Sequence, residues 1–496
     1  MNSIYSKIIT AKNNTPIPQL EDGRTVDSKY NPDAEAQKII DSLNKNTSFF
    51  IQAGIGSGCI AEMLLENYPD SKIICVENSQ DDLDFLMQLE KVQKLKNRQE
   101  IIFCTINQLA GSIVENYIPS FYGNLEIVLN RAWGAVNNNA AQINQKINDA
   151  LALVKADFSV QAHFGKLWMS NIFNNLRIFT KTNPSFTIDN SKTALILAAG
   201  PSLDITIKLI KENPDKYFVV ATDTSFSIIR KNNLKCNAVV SIDAQNISHN
   251  HFYNSKNYKD TLFVFDLCAD KSAVSMAVKQ RMNIIFTHSG HPLSELAASL
   301  YPDNFMKLYS GSGTVTIAAV DFAIKCGFEN IIVCGADFSY SKKPYAKGSY
   351  LDELYAKESF RINSCENQFA KLMFRTPLIP IKINNSTTEI LQSYKQSFEH
   401  YLLENNCNFT NENNLYTITL KNKNTVPVLK NTFNYKEFVS SFEYKEKTIR
   451  KIEDLSKFDI SLLPLNSWLK NFDNKNNKTF TENLKFSYNY IKRYFL

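Results

Sequence analysis

Short apolar runs alternate with longer stretches of helical spacing along the middle of this chain, and the apolar runs end in polar or glycine-bearing tips. Residues 194–198 lead into Gly200–Pro201–Ser202, and residues 217–222 into Asp223–Thr224–Ser225. Residues 238–242 lead into Asp243–Ala244–Gln245, and runs at 262–267 and 283–286 continue the series. Each run reads as a buried strand. The stretches between them read as helices, as where Leu203, Ile207, Leu209 and Ile210 offer one apolar face. Strand, polar tip and helix in repetition predict a doubly wound parallel sheet. The tips of such a sheet gather on its carboxyl edge, where ligands bind.

A second cluster occupies residues 309–350. Tyr309–Ser310–Gly311–Ser312–Gly313–Thr314 opens a helix, and a strand over 330–340 follows, with Gly335, Asp337 and Tyr340 at its exit. Glycine lets a ligand approach the backbone, Pro201 suits a first helical turn, and Ser202 places a hydroxyl beside free N–H groups at the positive end of a helix. Ser312, Gly313 and Thr314 offer the same chemistry to a phosphate or a nucleoside. Beyond them lie Lys342, Lys343, Tyr345, Lys347 and Tyr350. Tyrosine hydroxyls in such a loop suit a phosphate leaving group, since they donate to charge as it develops. The lysines read as solvated surface.

The N-terminal part carries its own glycine motif. Residues 48–58, SFFIQAGIGSG, run into a helix and then a strand that ends at Glu77. The spacing matches that of a ribose-binding acid in dinucleotide and S-adenosylmethionine folds. Gln52 stands where an acid usually precedes the glycines, so a structural role is expected, with a methyltransferase site as the alternative. Strands over 100–105 and 124–130 continue this sheet. From Pro377 the pattern changes to helical stretches over 389–404, 436–458 and 482–495, with an extended piece at 416–420.

At 496 residues the chain has room for two or three domains, and its 44% hydrophobic content is ordinary for a globular protein. No apolar run reaches membrane-spanning length, and the N-terminus lacks a signal-peptide core. Net charge is +6 without an arginine-and-aromatic face, so nucleic acid is not an expected partner. Nine scattered cysteines form no CxxC, and six histidines show no zinc spacing. A reduced, cytoplasmic setting is expected.

Taken together, LILAAGPSLD, VVATDTSFSII, AVVSIDAQ, the GSGTVTIAAVDFAIKCGFENIIVCGADFSYS run and the later Tyr394 with its helix resemble the Maf (motility associated factor) proteins and their DUF115-type central domain. That domain is similar to bacterial sialyltransferases that use CMP-sugars. The resemblance implies a cytoplasmic glycosyltransferase that moves a nonulosonic acid, of pseudaminic or legionaminic type, from a CMP-activated donor to Ser or Thr of flagellin, in service of flagellar assembly and motility. It implies nucleotide contacts at Gly200, Pro201, Ser202, Asp223, Asp243, Gln245, Ser312, Gly313, Thr314, Gly335 and Tyr340, and catalytic roles for Asp337 and Tyr345. The family's catalytic histidine has no counterpart among the matched motifs. The one downstream histidine, His400, lies in a helical stretch outside those motifs, and Asp337, Asp352, His288 and His291 stay open as the group that takes the acceptor proton. The expected architecture is α/β: a Rossmann-like domain over 1–140, the catalytic domain over 141–385, and a mainly helical region over 386–496. Two other classes stay open. One is a 6-hydroxymethylpterin diphosphokinase, in which Asp223, Asp243 and Asp337 would hold Mg²⁺. The other is a non-catalytic flagellin-binding factor. No cofactor is firmly expected.

Overall fold

A computed structural model describes residues 3–183, 185–213, 215–253, 255, 257–311, 314–382, 385–421, 424–472 and 478–496. The chain packs as two units, each built from separate stretches: Met1–Gly165 with Tyr444–Asn489, and Lys166–Glu443 with Tyr490–Leu496. The C-terminal region is thus shared out between them. No helix among the described residues is long and apolar enough to cross a membrane. All nine cysteines are free.

The first unit opens with an antiparallel hairpin, β1 (Tyr5–Thr10) and β2 (Pro16–Leu20). Four parallel strands follow: β3 (Phe49–Ala53), β4 (Lys72–Glu77), β5 (Ile101–Thr105) and β6 (Leu125–Leu129). Their order is β5-β4-β3-β6. Every residue of β3 is buried, as in a parallel strand covered on both faces. The order reverses beside β3, so the exits of β3 and β6 flank a switch point. A 41-residue helix, Asn139–Phe179, carries the chain into the second unit.

The second unit holds the sheet that the apolar runs predict. Its parallel strands are β7 (Thr193–Leu197), β8 (Tyr217–Thr222), β9 (Ala238–Ser241), β10 (Leu262–Asp266), β11 (Asn283–His288), β12 (Met306–Lys307) and β13 (Asn330–Cys334). A small hairpin of β14 (Ile379–Lys382) and β15 (Asn385–Thr387) stands apart from this sheet. A second hairpin, β16 (Asn408–Glu412) and β17 (Leu415–Thr419), pairs antiparallel with β13, and the sheet order becomes β12-β11-β10-β9-β8-β7-β13-β17-β16. The extended piece near 416–420 is therefore the penultimate strand of the main sheet, between β13 and β16. Its alternation explains the placement: Tyr416 and Ile418 are buried while Leu415, Thr417 and Thr419 are exposed. The helix Val315–Lys325 is buried from Thr316 to Ile324, on all its faces, as its nearly uniform apolar composition requires.

One helical expectation is corrected. Of residues 436–458, only the two ends are α-helical, within Tyr435–Ser440 and Lys457–Ser461, with a 3₁₀ turn at Ile452–Asp454 between them. After Phe442 the sequence EYKEKTIR offers no apolar face to bury. The Asp454 carboxylate instead accepts from the backbone N–H groups of Arg450 and Lys451 at 2.8 and 2.9 Å.

Candidate active site at the switch point of the central sheet

From β7 the chain steps outward through β8 to β12, then returns to β13 on the other side of β7. The exits of β7 and β13 flank the switch point, and the two glycine-bearing tips meet there. Gly200 N–H donates to Gly335 O at 2.8 Å, and Ala198 N–H to Cys334 O at 2.8 Å. A Cβ on Gly200 would lie 2.5 Å from both Gly335 O and Asp337 Oδ2, and one on Gly335, at φ +73°, would lie 2.3 Å from Ala198 O. These glycines are demanded first by the approach of two protein backbones to each other.

Asp337 sits on this junction. Its Oδ2 accepts from Ser202 N–H at 2.8 Å, so a protein carboxylate occupies the start of the helix Leu203–Glu212, where the sequence suggests a phosphate. Its Oδ1 is buried with no hydrogen-bond partner. Burial raises the carboxyl pKa above the usual range, against the lowering effect of the hydrogen bond from Ser202.

A cleft of about 310 Å³ opens beside it. The walls unite six of the residues expected from sequence, Gly200, Thr314, Gly335, Asp337, Tyr340 and Tyr345. Thr222, Thr224, Ser339 and Tyr394 join them. The 341–349 loop is folded back onto the end of β7: Ala346 N–H donates to Ala199 O and Lys347 N–H to Asp204 Oδ1, both at 2.9 Å, while Gly348 N–H donates to Asp352 Oδ2 at 2.6 Å. This places Tyr345 on the cleft wall. Burial pushes the Tyr345 hydroxyl up to about 12, so it remains a proton donor at neutral pH. Tyr340 is held by a bridge in which Tyr340 N–H donates to Ser386 O at 2.6 Å and Ser386 N–H donates back at 3.0 Å. Thr314 caps the helix Val315–Lys325, accepting from Thr316 N–H, so the positive end of that helix faces the same space.

Other expected residues lie elsewhere or are engaged otherwise. Asp223 is buried, accepting from Thr224 N–H at 2.7 Å and from the Ser241 hydroxyl at 2.8 Å. It ties β8 to β9, and its neighbours Thr222 and Thr224 reach the cleft instead, because successive residues at a strand end point to opposite sides. Asp243 accepts from Gln245 N–H at 3.0 Å and from the Ser248 hydroxyl at 2.7 Å, bracing the turn Asn246–Phe252, and Gln245 is exposed. Pro201 and Ser202 form the approach to the helix behind the cleft. Ser312 and Gly313 lie outside the described residues.

Asp223, Asp243 and Asp337 are thus committed to three separate sets of partners. They do not assemble a cation cage, and no group of three or more metal-ligating side chains occurs among the described residues. The Mg²⁺ set suggested by sequence does not fit. The histidine candidates for a base also stand away from the cleft lining. His288 pairs with Glu295 at 3.0 Å, His291 caps its own helix through Leu293 N–H at 3.1 Å, and exposed His400 pairs with Glu404 at 3.0 Å. Burial depresses the His291 pKa to about 3. Asp352 is spent on Gly348.

The glycine loop of the first unit has a different fate. Glu77, the ribose-acid position, is fully buried and accepts from Tyr5 OH at 3.0 Å, Trp133 Nε1–H at 2.6 Å and Ile55 N–H at 2.7 Å. Asp27 accepts from Ser57 N–H at 2.8 Å, beside the start of the helix Cys59–Asn67. A Cβ on Gly54 would lie 2.7 Å from Trp133, and one on Gly56 would lie 2.6 Å from Asp27 Oδ2. Gln52, read from sequence as a missing acid, donates its amide to the carbonyls of Gly54 and Ile55 at 3.4 and 3.3 Å, which a carboxylate could not do. The protein's own side chains fill the positions a cofactor would take.

Fold and strand-end geometry define a doubly wound α/β protein with a candidate ligand edge at β7 and β13. Comparison with known proteins agrees. Residues 166–343 match the family described as 6-hydroxymethylpterin diphosphokinase MptE-like. Two proteins of Treponema pallidum (strain Nichols), both described as uncharacterized, are similar to the chain. One is 36% identical over 179 residues, covering 35% of this chain and 81% of the relative; the other is 39% identical over 140 residues, covering 27% and 49%. The chain thus carries an MptE-like domain over residues 166–343, of the DUF115-type group its motifs resemble. Its fold is shared with the Maf glycosyltransferase from Magnetospirillum magneticum AMB-1, at a TM-score of 0.51 and 10% identity, over 99% of this chain and 91% of the other.

Proposed function

We propose that this cleft binds a CMP-activated nonulosonic acid and that the chain transfers the sugar to a serine or threonine hydroxyl of flagellin in the cytoplasm. The observation that carries the reading is Asp337: a carboxylate with one oxygen anchored on the Ser202 N–H and the other unpartnered, beside Tyr340, Tyr345 and Tyr394 at a sheet switch point. The solved glycosyltransferase of the same fold supports it. In this reading the acceptor oxygen bonds to the anomeric carbon as the bond to the CMP phosphate oxygen breaks. Asp337 takes the acceptor proton, and its raised pKa brings it nearer the working pH of a base. The Tyr345 hydroxyl donates to the phosphate oxygen that gains charge. Thr224 and Thr314 supply hydroxyls to the nucleotide.

The family description favours a second reading, pyrophosphate transfer from ATP to a pterin. The engagement of Asp223 between β8 and β9, and of Asp243 in the turn Asn246–Phe252, argues against the metal set that reading would draw from these residues. Calorimetric titration with CMP and with ATP separates the two. Intact mass of flagellin co-expressed with the chain and a nonulosonate pathway then tests transfer. Binding of CMP together with glycosylated flagellin is expected. Binding of ATP alone supports the kinase. CMP binding without any glycan supports a non-catalytic flagellin-binding factor.

A further inference from the structure

The helix Asp223–Lys231 borders two clefts. Thr224, in its first turn, lines the cleft at the sheet edge, whereas Ser227, Arg230 and Lys231 line a second cleft of about 340 Å³. Residues 224, 227 and 231 share one helical face, and the rise of a helix separates Thr224 from Lys231 by about 10 Å. The segment after β13 likewise carries Tyr345 on the first cleft and Tyr350 on the second. One helix and one loop thus border both clefts.

Its charge is unbalanced. Arg230, Lys231 and Lys357 line it with a single carboxylate, Glu353, which is paired with Lys231 at 3.1 Å. Arg230 is the unusual member. Its guanidinium lies over the Phe226 ring at 5.2 Å and donates to His251 O at 3.0 Å, yet its Nε–H is buried with no hydrogen-bond partner. Burial lowers its pKa. A desolvated cation with an unfilled donor is costly unless an anion completes it. His251, with its Nδ1 also unpartnered, packs edge-on against the Tyr350 ring at 4.6 Å and steadies that wall. Asn250, Tyr253 and Tyr350 add neutral polar groups.

We propose that this second cleft is an anion-binding site for a phosphate- or carboxylate-bearing small molecule, with Arg230 and Lys357 supplying the charge and Asn250, Tyr253 and Tyr350 the neutral hydrogen bonds. The anion has two sources: an acidic sugar, whose carboxylate would extend from the first cleft, or a free phosphate compound. The site itself does not depend on the proposed transferase reaction.

Calorimetric titration of the full chain tests it with two probes, N-acetylneuraminic acid and inorganic pyrophosphate. At least one should bind. Lys357→Glu, an exposed substitution that the fold tolerates, should weaken that probe tenfold or more, and Arg230→Gln should abolish its binding. CMP affinity in Lys357→Glu should stay within twofold. Binding of the sugar acid alone assigns the acidic-sugar source; binding of pyrophosphate alone assigns the phosphate source. Absence of binding by both probes to the unsubstituted chain, or unchanged affinity in Lys357→Glu, overturns the site. Because CMP is titrated separately, its failure to bind would count against the proposed transferase and leave this result standing.

Discussion

Both units place a glycine loop at the switch point of a parallel sheet, and the two loops end differently. After β3, Gly54 and Gly56 have Trp133 and Asp27 against them, and Glu77 is closed over by Tyr5 and Trp133. After β7, Gly200 meets Gly335 and Asp337, but the junction borders an open cleft with hydroxyls on its walls. Glycine at a strand end therefore reports that something comes within contact of the backbone. Whether that is a ligand or the protein itself depends on what the rest of the chain delivers there. Asp337 shows both at once, one oxygen serving the fold and the other left unpartnered.

The comparison breaks most visibly at Trp133. This side chain is fully buried and holds Glu77. Trp133→Ala should cost the first unit about 3–5 kcal/mol, read from urea unfolding, while CMP affinity in the second unit stays within a few-fold. Gain of S-adenosylmethionine binding in that variant would show that the loop is a masked cofactor site.

A second effect follows from acidity. Burial raises Glu77 to about 8 and Asp27 to about 7. Unfolded, both groups titrate near 4, so the folded state holds extra protons between the two ranges. Their contribution to stability is complete below about pH 4 and is lost as pH rises through 7 and 8. The loss has a slope on the order of 1 kcal/mol per pH unit for each group. Urea midpoints of the first unit should fall from pH 5 to pH 8, and Glu77→Gln should flatten part of that fall. An identical slope in the variant would show that Glu77 is ionised in the native state.

At the open cleft the effects should appear in rate. Asp337→Asn keeps the volume and removes the base, so flagellin glycosylation should drop about 10²-fold or more with CMP affinity held within a few-fold. Full glycan occupancy would remove Asp337 from the chemistry. Tyr345→Phe should be the mildest, about tenfold in rate with little change in CMP affinity, as for one donor to a leaving group. A larger loss of CMP affinity than of rate would make Tyr345 a binding residue.

Part of the candidate cleft was legible in the sequence because strand-end chemistry is local. Gly200, Thr314, Gly335, Asp337, Tyr340 and Tyr345 each lie at the end of an apolar run or the start of a helix, and six such positions came together. Asp223 and Thr224 show where that legibility ends. They are adjacent, yet one points into the sheet and the other lines the cleft. Periodicity places both at a tip without saying which way each faces.

The hydrophobic pattern alone determined the two parallel sheets and most of their strands, because burial of alternating or continuous apolar runs is decided within a few residues. The tertiary structure decided the rest. It brought β17 onto β13 from about 80 residues away, divided the C-terminal region between two units, filled one glycine loop with Asp27, Glu77 and Trp133, and left the other open. These outcomes rest on contacts between segments far apart in the chain. Such contacts depend on which surfaces remain unburied once the local elements have formed, and no local pattern records that.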